Sequence, residues 1–141
     1  MRILCLDVGE KRVGVAISDE TKTLARGLGR IERGEKEVER IKELIIKYEI
    51  ESIVYGLPLR MDGSISSQTE RTIAFIEKLK KEIEIPFIPF DERLSTQQAE
   101  TILIEADLSR RKRKKFIDKL SAQIILQNYL DSLKKDVMEE M

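Results

Sequence analysis

The sequence has no histidine and no tryptophan, and only one cysteine and three prolines in 141 residues. Without an imidazole, His-based triads and His-rich metal centres are excluded, so acid–base or metal work falls to carboxylates. One thiol excludes an intramolecular disulfide, which suits a reducing cytosol. Its place inside an apolar run gives Cys5 the part of a small buried hydrophobe. No apolar run approaches the ~20 residues a membrane-spanning helix needs. The N-terminal run is too short for a secretory signal and is interrupted by Asp7. The expectation is a cytoplasmic protein with no membrane partner. Aromatic residues make up 5% of the chain, with no cluster suited to stacking unpaired bases. There is no internal repeat and no linker, so residues 1–141 read as a single domain. A chain of this length buries roughly two-thirds of its unfolded surface.

Net charge is also absent, with 26 basic and 26 acidic residues, but the balance is not local. Residues 110–119 hold seven cations and one anion, a net +6, so the remainder carries −6. A polarised chain of this kind can present a basic stretch to phosphates. The cations of that run are Arg110, Arg111, Lys112, Arg113, Lys114 and Lys115, followed by Lys119.

Hydrophobic periodicity gives the element order. Arg2–Leu6 and Val13–Ile17 read as two antiparallel strands joined by a turn at Gly9-Glu10-Lys11. Leu24–Ile31 alternates as a third strand. Val38, Ile41, Leu44, Ile45 and Tyr48 recur at helical spacing, and Ser52–Pro58 is a short apolar strand. Asp62-Gly63 marks a turn. Ser67-Gln-Thr-Glu70 has capping-box spacing before a helix with Ile73, Ile76 and Leu79 on one face. Ile85–Phe90 is a strand carrying Pro86 and Pro89, which belongs at a sheet edge because each proline lacks a ladder donor. A helix opens near Ser95, and a last one turns Ala122, Ile125, Leu126, Tyr129, Leu130 and Leu133 inward. The order β-β-β-α-β-α-β-α-α predicts an α/β fold, a mixed five-stranded sheet of order 3-2-1-4-5 with helices on both faces. Two nucleotide-binding patterns fail. Gly27-Leu-Gly29 lacks a third glycine, and Gly9–Gly14 is followed by Val15-Ala16 instead of Lys-Ser/Thr.

Three acidic positions stand out. Asp7 ends an apolar strand, Asp91-Glu92 ends the proline-bearing strand, and Asp118 precedes Ala122, Ile125 and Tyr129 at helical spacing. Each has an ordinary alternative as a turn, loop or helix-start acid. Strand ends and a crossing helix can bring all three to one rim. Two carboxylates ~4 Å apart repel by about 4 kcal/mol at an effective dielectric near 20, so such a cluster calls for a cation. Hard oxygen donors select Mg²⁺ or Mn²⁺, which can support in-line phosphodiester hydrolysis.

At this point the chain resembles the YqgF (RuvX) family. The resemblance rests on Leu6-Asp7-Val8-Gly9-Glu10-Lys11-Arg12-Val13-Gly14-Val15-Ala16, on Gly56–Ser64, on Asp91-Glu92-Arg93-Leu94-Ser95-Thr96 with Ala99, and on Asp118–Leu126, all in order. It implies a RuvC-like ribonuclease H fold and a nuclease maturing the 5′ end of pre-16S rRNA. Holliday junction resolution is the alternative. It also implies a catalytic, metal-binding set of Asp7, Glu92 and Asp118, with Glu92 favoured over Asp91. The second acid comes from the fifth strand, because the fourth offers Tyr55-Gly56 where ribonuclease H folds usually carry a carboxylate. The family usually has Thr at the position of Glu10. Lys11, Arg60, Arg93 and the 110–115 run would hold nucleic-acid phosphates. The partners expected are structured RNA or branched DNA, with the chain a monomer or weak homodimer. A different class of function is a non-catalytic RNA-binding factor in ribosome assembly. A sugar-kinase or actin-type ATPase shares the Asp-x-Gly opening but needs two such domains.

Overall fold

A computed structural model describes residues 1–91 and 120–133. In chain order it contains β1 (Arg2–Val8), β2 (Arg12–Ser18), β3 (Ala25–Glu32), α1 (Glu37–Lys47), β4 (Ile50–Leu57), α2 (Ser67–Lys80), β5 (Phe87–Asp91) and α3 (residues 120–133). The sheet has the expected order β3-β2-β1-β4-β5. β2 is antiparallel to β1 and β3, while β4 and β5 run parallel to β1. β5 forms one edge, so Pro89 withholds no N–H from an inner neighbour. The helix opening near Ser95 lies outside the described residues.

Both faces of the sheet are covered, which is why β1, β2 and β4 are buried almost continuously instead of alternating with solvent. Leu4, Leu6, Val8, Val13, Val15, Ile17, Ile53 and Tyr55 form a core with Val38 and Ile41 of α1 and Phe75, Ile76 and Leu79 of α2. Ile3, Cys5, Ala16 and Val54 line the opposite face under Ala122, Ile125, Leu126 and Leu130 of α3. Cys5 is fully buried there, as an apolar residue would be.

Three local expectations need correction. The capping box of α2 is built by Ser66 and Thr69, not by Ser67 and Glu70. Thr69 Nα donates to Ser66 Oγ (3.2 Å), and Ser66 Nα donates back to Thr69 Oγ1 (3.0 Å). The Thr69 hydroxyl also donates to the carbonyl of Pro58, so position 69 turns inward and Glu70 stays in solvent. That rotation makes Thr69, Thr72, Phe75, Ile76 and Leu79 the buried stripe and leaves Ile73 exposed. Leu133 likewise lies at the edge of the α3 face, 36% exposed.

β3, the other edge, is closed by side chains of α3. Gln127 Oε1 accepts from Ala25 Nα (2.9 Å), and its Nε2 donates to Thr23 O (3.0 Å). One turn earlier, Gln123 Oε1 accepts from Gly27 Nα (3.1 Å). Two amides at helical spacing thus occupy strand-edge groups that would otherwise be open to a foreign strand.

The β2–β3 turn is organised by Asp19, whose Oδ1 accepts from Thr23 Nα (2.8 Å) and Leu24 Nα (3.2 Å). Thr21 and Thr23 hydroxyls donate to Oδ2 at 2.9 and 3.1 Å. The Thr23 N–H leads the effects, outweighs a smaller desolvation effect, and with the other donors lowers the Asp19 pKa from 3.8 to about 2. A folded-state pKa below the unfolded one stabilises the turn above pH 3.8 and is lost as pH falls toward 2. Carboxyl-detected NMR should find Asp19 titrating near 2, and Asp19→Asn should remove that transition without moving the others.

Candidate active site

The site is built on the β1–β2 hairpin. Gly9 Nα donates to Arg12 O (2.8 Å), and a Cβ at Gly9 would stand 2.7 Å from that same backbone oxygen. Only glycine fits this turn without moving it. Asp7 is the penultimate residue of β1, one position further inside the strand than the sequence suggests, and is half-buried. Its register partner on β2 is Gly14, which pairs onward with Arg30 of β3. On the other side Leu6 pairs with Tyr55, so Gly56 is the next residue of β4 beside Asp7, and Gly56 pairs with Phe90. The Asp7 carboxylate therefore rises between two strands that carry no side chain at its level.

Asp7, Lys11 and Arg60 share one end of the molecule. Lys11 is exposed in the β1–β2 turn, and Arg60 is exposed in the loop that leaves the carboxyl end of β4, parallel to β1. Asp91 is on the wrong face to join Asp7. It pairs with Leu57, which packs with Phe87 against the α1–α2 core, whereas Ile88 and Phe90 pack on the α3 side with Cys5. Glu92, Arg93, the 110–115 run and Asp118 lie outside the described residues.

The direction of α3 bears on the last of these. Gln127 is level with Ala25 and Gln123 with Gly27, and Gly27 shares a row with Ala16 and Cys5. Lower residue numbers in α3 therefore lie nearer the Asp7 row, two residues beyond Cys5 on β1.

One element of the site was missed by sequence reading. Glu37, at the start of α1, is 4% exposed. Its Oε2 accepts from Arg33 Nε (2.7 Å) and Gly34 Nα (3.2 Å), and its Oε1 accepts from Lys78 Nζ of α2 (2.9 Å). Arg33 stacks over Phe75 at 4.5 Å, donates from Nη1 to Gly9 O (3.0 Å), and its own N–H reaches Lys11 O (2.9 Å). The turn beside Asp7 is thus tied to both helices on one face. Burial pushes the Glu37 carboxyl up, but hydrogen bonds from Lys78, Arg33 and Gly34 with the Arg33 charge hold it below its ordinary 4.5. The available signal was spacing: Glu37 lies four residues before Ile41, on the same helical face.

Among the described residues no three His, Cys, Asp or Glu side chains cluster closely enough to hold a metal. Asp7 does fit a divalent cation as one hard oxygen donor in a half-buried position. No helix among the described residues is long and apolar enough to cross a membrane.

A five-stranded 3-2-1-4-5 sheet, its first strand carrying a carboxylate between two glycines and with helices on both faces, defines a ribonuclease H-like protein. Solved structures agree. The fowlpox virus resolvase bound to Holliday junction DNA superposes with a TM-score of 0.58 at 16% identity, covering 94% of this chain and 99% of its own. Thermus thermophilus RuvC with its Holliday junction substrate gives a TM-score of 0.58 at 13% identity, covering 96% of each chain. At such identities the likeness is one of fold. The profile of the RuvX family, described as Holliday junction resolvase, matches residues 1–132, and the chain belongs to that family. Relatives named "Putative pre-16S rRNA nuclease" include one from Caldanaerobacter subterraneus subsp. tengcongensis, 54% identical over 137 residues, 95% of this chain and 99% of its own. Another, from Thermoanaerobacter pseudethanolicus, is 53% identical with the same coverage.

Proposed function

We propose that this chain is a single-domain endonuclease that hydrolyses phosphodiester bonds in structured RNA, with the 5′ region of pre-16S rRNA as its substrate. The observation that carries this reading is Asp7 itself, a carboxylate set between Gly14 and Gly56 at the rim toward which α3 runs. The choice of RNA follows the relatives at 53% and 54% identity, which carry the rRNA nuclease name. Resemblance to the junction resolvases, at 16% and 13% identity, extends only to fold.

Glu92 and Asp118 complete the acidic set in this proposal. Ile88 and Phe90 pack on the α3 side and alternation leaves Asp91 on the other face, which supports Glu92 over Asp91 as the acid of that pair. α3 runs toward the Asp7 row in the direction of lower residue number, which supports Asp118 as the third acid. Oxygen-only donors favour Mg²⁺ or Mn²⁺, held by Asp7, Glu92 and Asp118. When bound, the ions would activate water and steady the leaving oxygen. The protein's share is to fix the carboxylates on a rigid sheet end. Lys11, Arg60, Arg93 and the 110–115 run neutralise backbone phosphates on either side, which aligns the strand without reading its sequence.

The family description keeps a branched-DNA reading in play. A resolvase should be a two-fold dimer presenting two sites, whereas a rRNA nuclease can act as a monomer. Incubation with precursor rRNA and a four-way DNA junction, each with Mg²⁺, Mn²⁺ or chelator, tests the proposal. The expected result is a mapped cut in the RNA that requires the divalent ion. Cleavage confined to the junction by a dimer would replace it with the second reading, and binding without cleavage would make the chain an assembly factor.

A further inference from the structure

The loop from Leu57 to Ser66 leaves the carboxyl end of β4 beside Asp7 and is built as a small rigid hairpin. Leu59 pairs with Ile65 in an antiparallel bridge. Arg60 Nα donates to Ser64 O (3.0 Å), and Gly63 Nα donates to Arg60 O (2.7 Å). Asp62 Oδ1 accepts from both Ser64 Nα (2.9 Å) and Ser64 Oγ (2.6 Å). Gly63 sits at φ +87°, where a side chain would be strained. At its foot the loop is fastened to α2 by the buried Thr69 hydroxyl on Pro58 O. So much local bonding fixes the direction of the tip, which exposes two apolar side chains among polar ones: Met61 is 69% and Ile65 57% exposed, with Arg60, Asp62 and Ser64 exposed alongside.

A rigid tip of unbranched and β-branched apolar side chains next to a cation is suited to entering a base step. The side chains occupy the gap between two bases while the guanidinium holds the adjoining phosphate. Its position is equally specific, since it stands on the same rim as the carboxylate that would act on the strand. From this geometry we infer that Met61 and Ile65 form a wedge that unstacks the RNA at an interruption of its helix, a bulge or strand branch, and so sets where the Asp7 site cuts. The unstacking rests on the nucleic-acid reading above but not on hydrolysis; only its effect on the cut position needs both. Substrates with a pre-existing break in stacking would be selected because opening them is less costly than opening a continuous duplex.

The test uses the full chain in chelator with a bulged RNA duplex carrying 2-aminopurine beside the bulge, a base whose fluorescence rises when it is unstacked. Wild type should give a several-fold rise on binding. Met61→Ser combined with Ile65→Ser, which touches none of the hydrogen bonds above, should keep an unchanged melting temperature yet give no rise even when saturated with RNA. The same rise in the double variant, or none in wild type, overturns the wedge. A parallel arm with a 2-aminopurine four-way DNA junction should show a weaker response, and a response larger than that of RNA would move the wedge to DNA. Cleavage is scored separately with Mn²⁺. Failure there, with the fluorescence intact, would remove the hydrolytic reading and leave the wedge standing.

Discussion

Replacing Asp7 by Asn should lower single-turnover RNA cleavage by about 10³-fold or more while the protein melts at the same temperature or slightly higher. The size of the loss follows from the role: a carboxylate that holds a divalent ion acts on charge developing in the transition state, where a preorganised group has its greatest leverage. The amide has the same shape, so the strand keeps its register with Gly14. The melting behaviour follows from electrostatics. If Asp7 stands ~4 Å from another carboxylate without a cation, removing its charge relieves repulsion of up to about 4 kcal/mol at an effective dielectric near 20. Undiminished cleavage by the variant would exclude Asp7 from the chemistry. A large fall in melting temperature would assign it to the fold instead.

Replacing Glu37 by Ala should destabilise the chain by about 2–3 kcal/mol, because a buried acceptor of three charge-assisted or backbone hydrogen bonds is removed. The estimate is kept below that for a fully enclosed pair because the Lys78 side chain is 53% exposed and can return to water. For a domain of this size the loss corresponds to a melting temperature lower by roughly 6–12 °C. Glu37→Gln should lose less, since one oxygen remains to accept from Arg33 or Lys78. The effect should also depend on pH with a defined sign. The folded pKa of Glu37 lies below the ordinary 4.5, so its contribution is complete above that pH and disappears as pH falls through the folded value. Wild type and variant should therefore converge in acid. A difference that stays constant from neutral pH to strong acid would show that packing, not the ion pairs, sets the loss.

The parts of this fold that were legible in the sequence are those where one periodicity has no rival. The apolar runs of β1 and β2, the turn at Gly9, and Pro89 in β5 with Pro86 just before it led directly to the hairpin and to the edge position. Asp7 was visible for the same reason, as a charge in a run that otherwise belongs to a core. α2 was read less well because two stripes compete there. Ile73, Ile76 and Leu79 look like one apolar face, but the hydroxyl of Thr69 is claimed by the Pro58 carbonyl, and that contact rotates the helix to bury Thr72. Glu37 was invisible because its partners, Arg33 and Lys78, come from separate elements and meet only in three dimensions. Gln123 and Gln127 likewise gave no sign of their targets, since an exposed amide and an edge-capping amide have the same spacing.

Those two glutamines have a consequence for how the chain can fail. Ala25 and Gly27 present their backbone donors outward, and among the described residues an amide pair from the same helix that shields Cys5 and Val54 covers them. Lifting that helix would bare a greasy surface and a sticky selvage in one motion, so any partly opened form is a template for stacking copies of itself. Protection from self-association and the packing behind the Asp7 rim thus depend on one docked helix, so loosening either endangers the other.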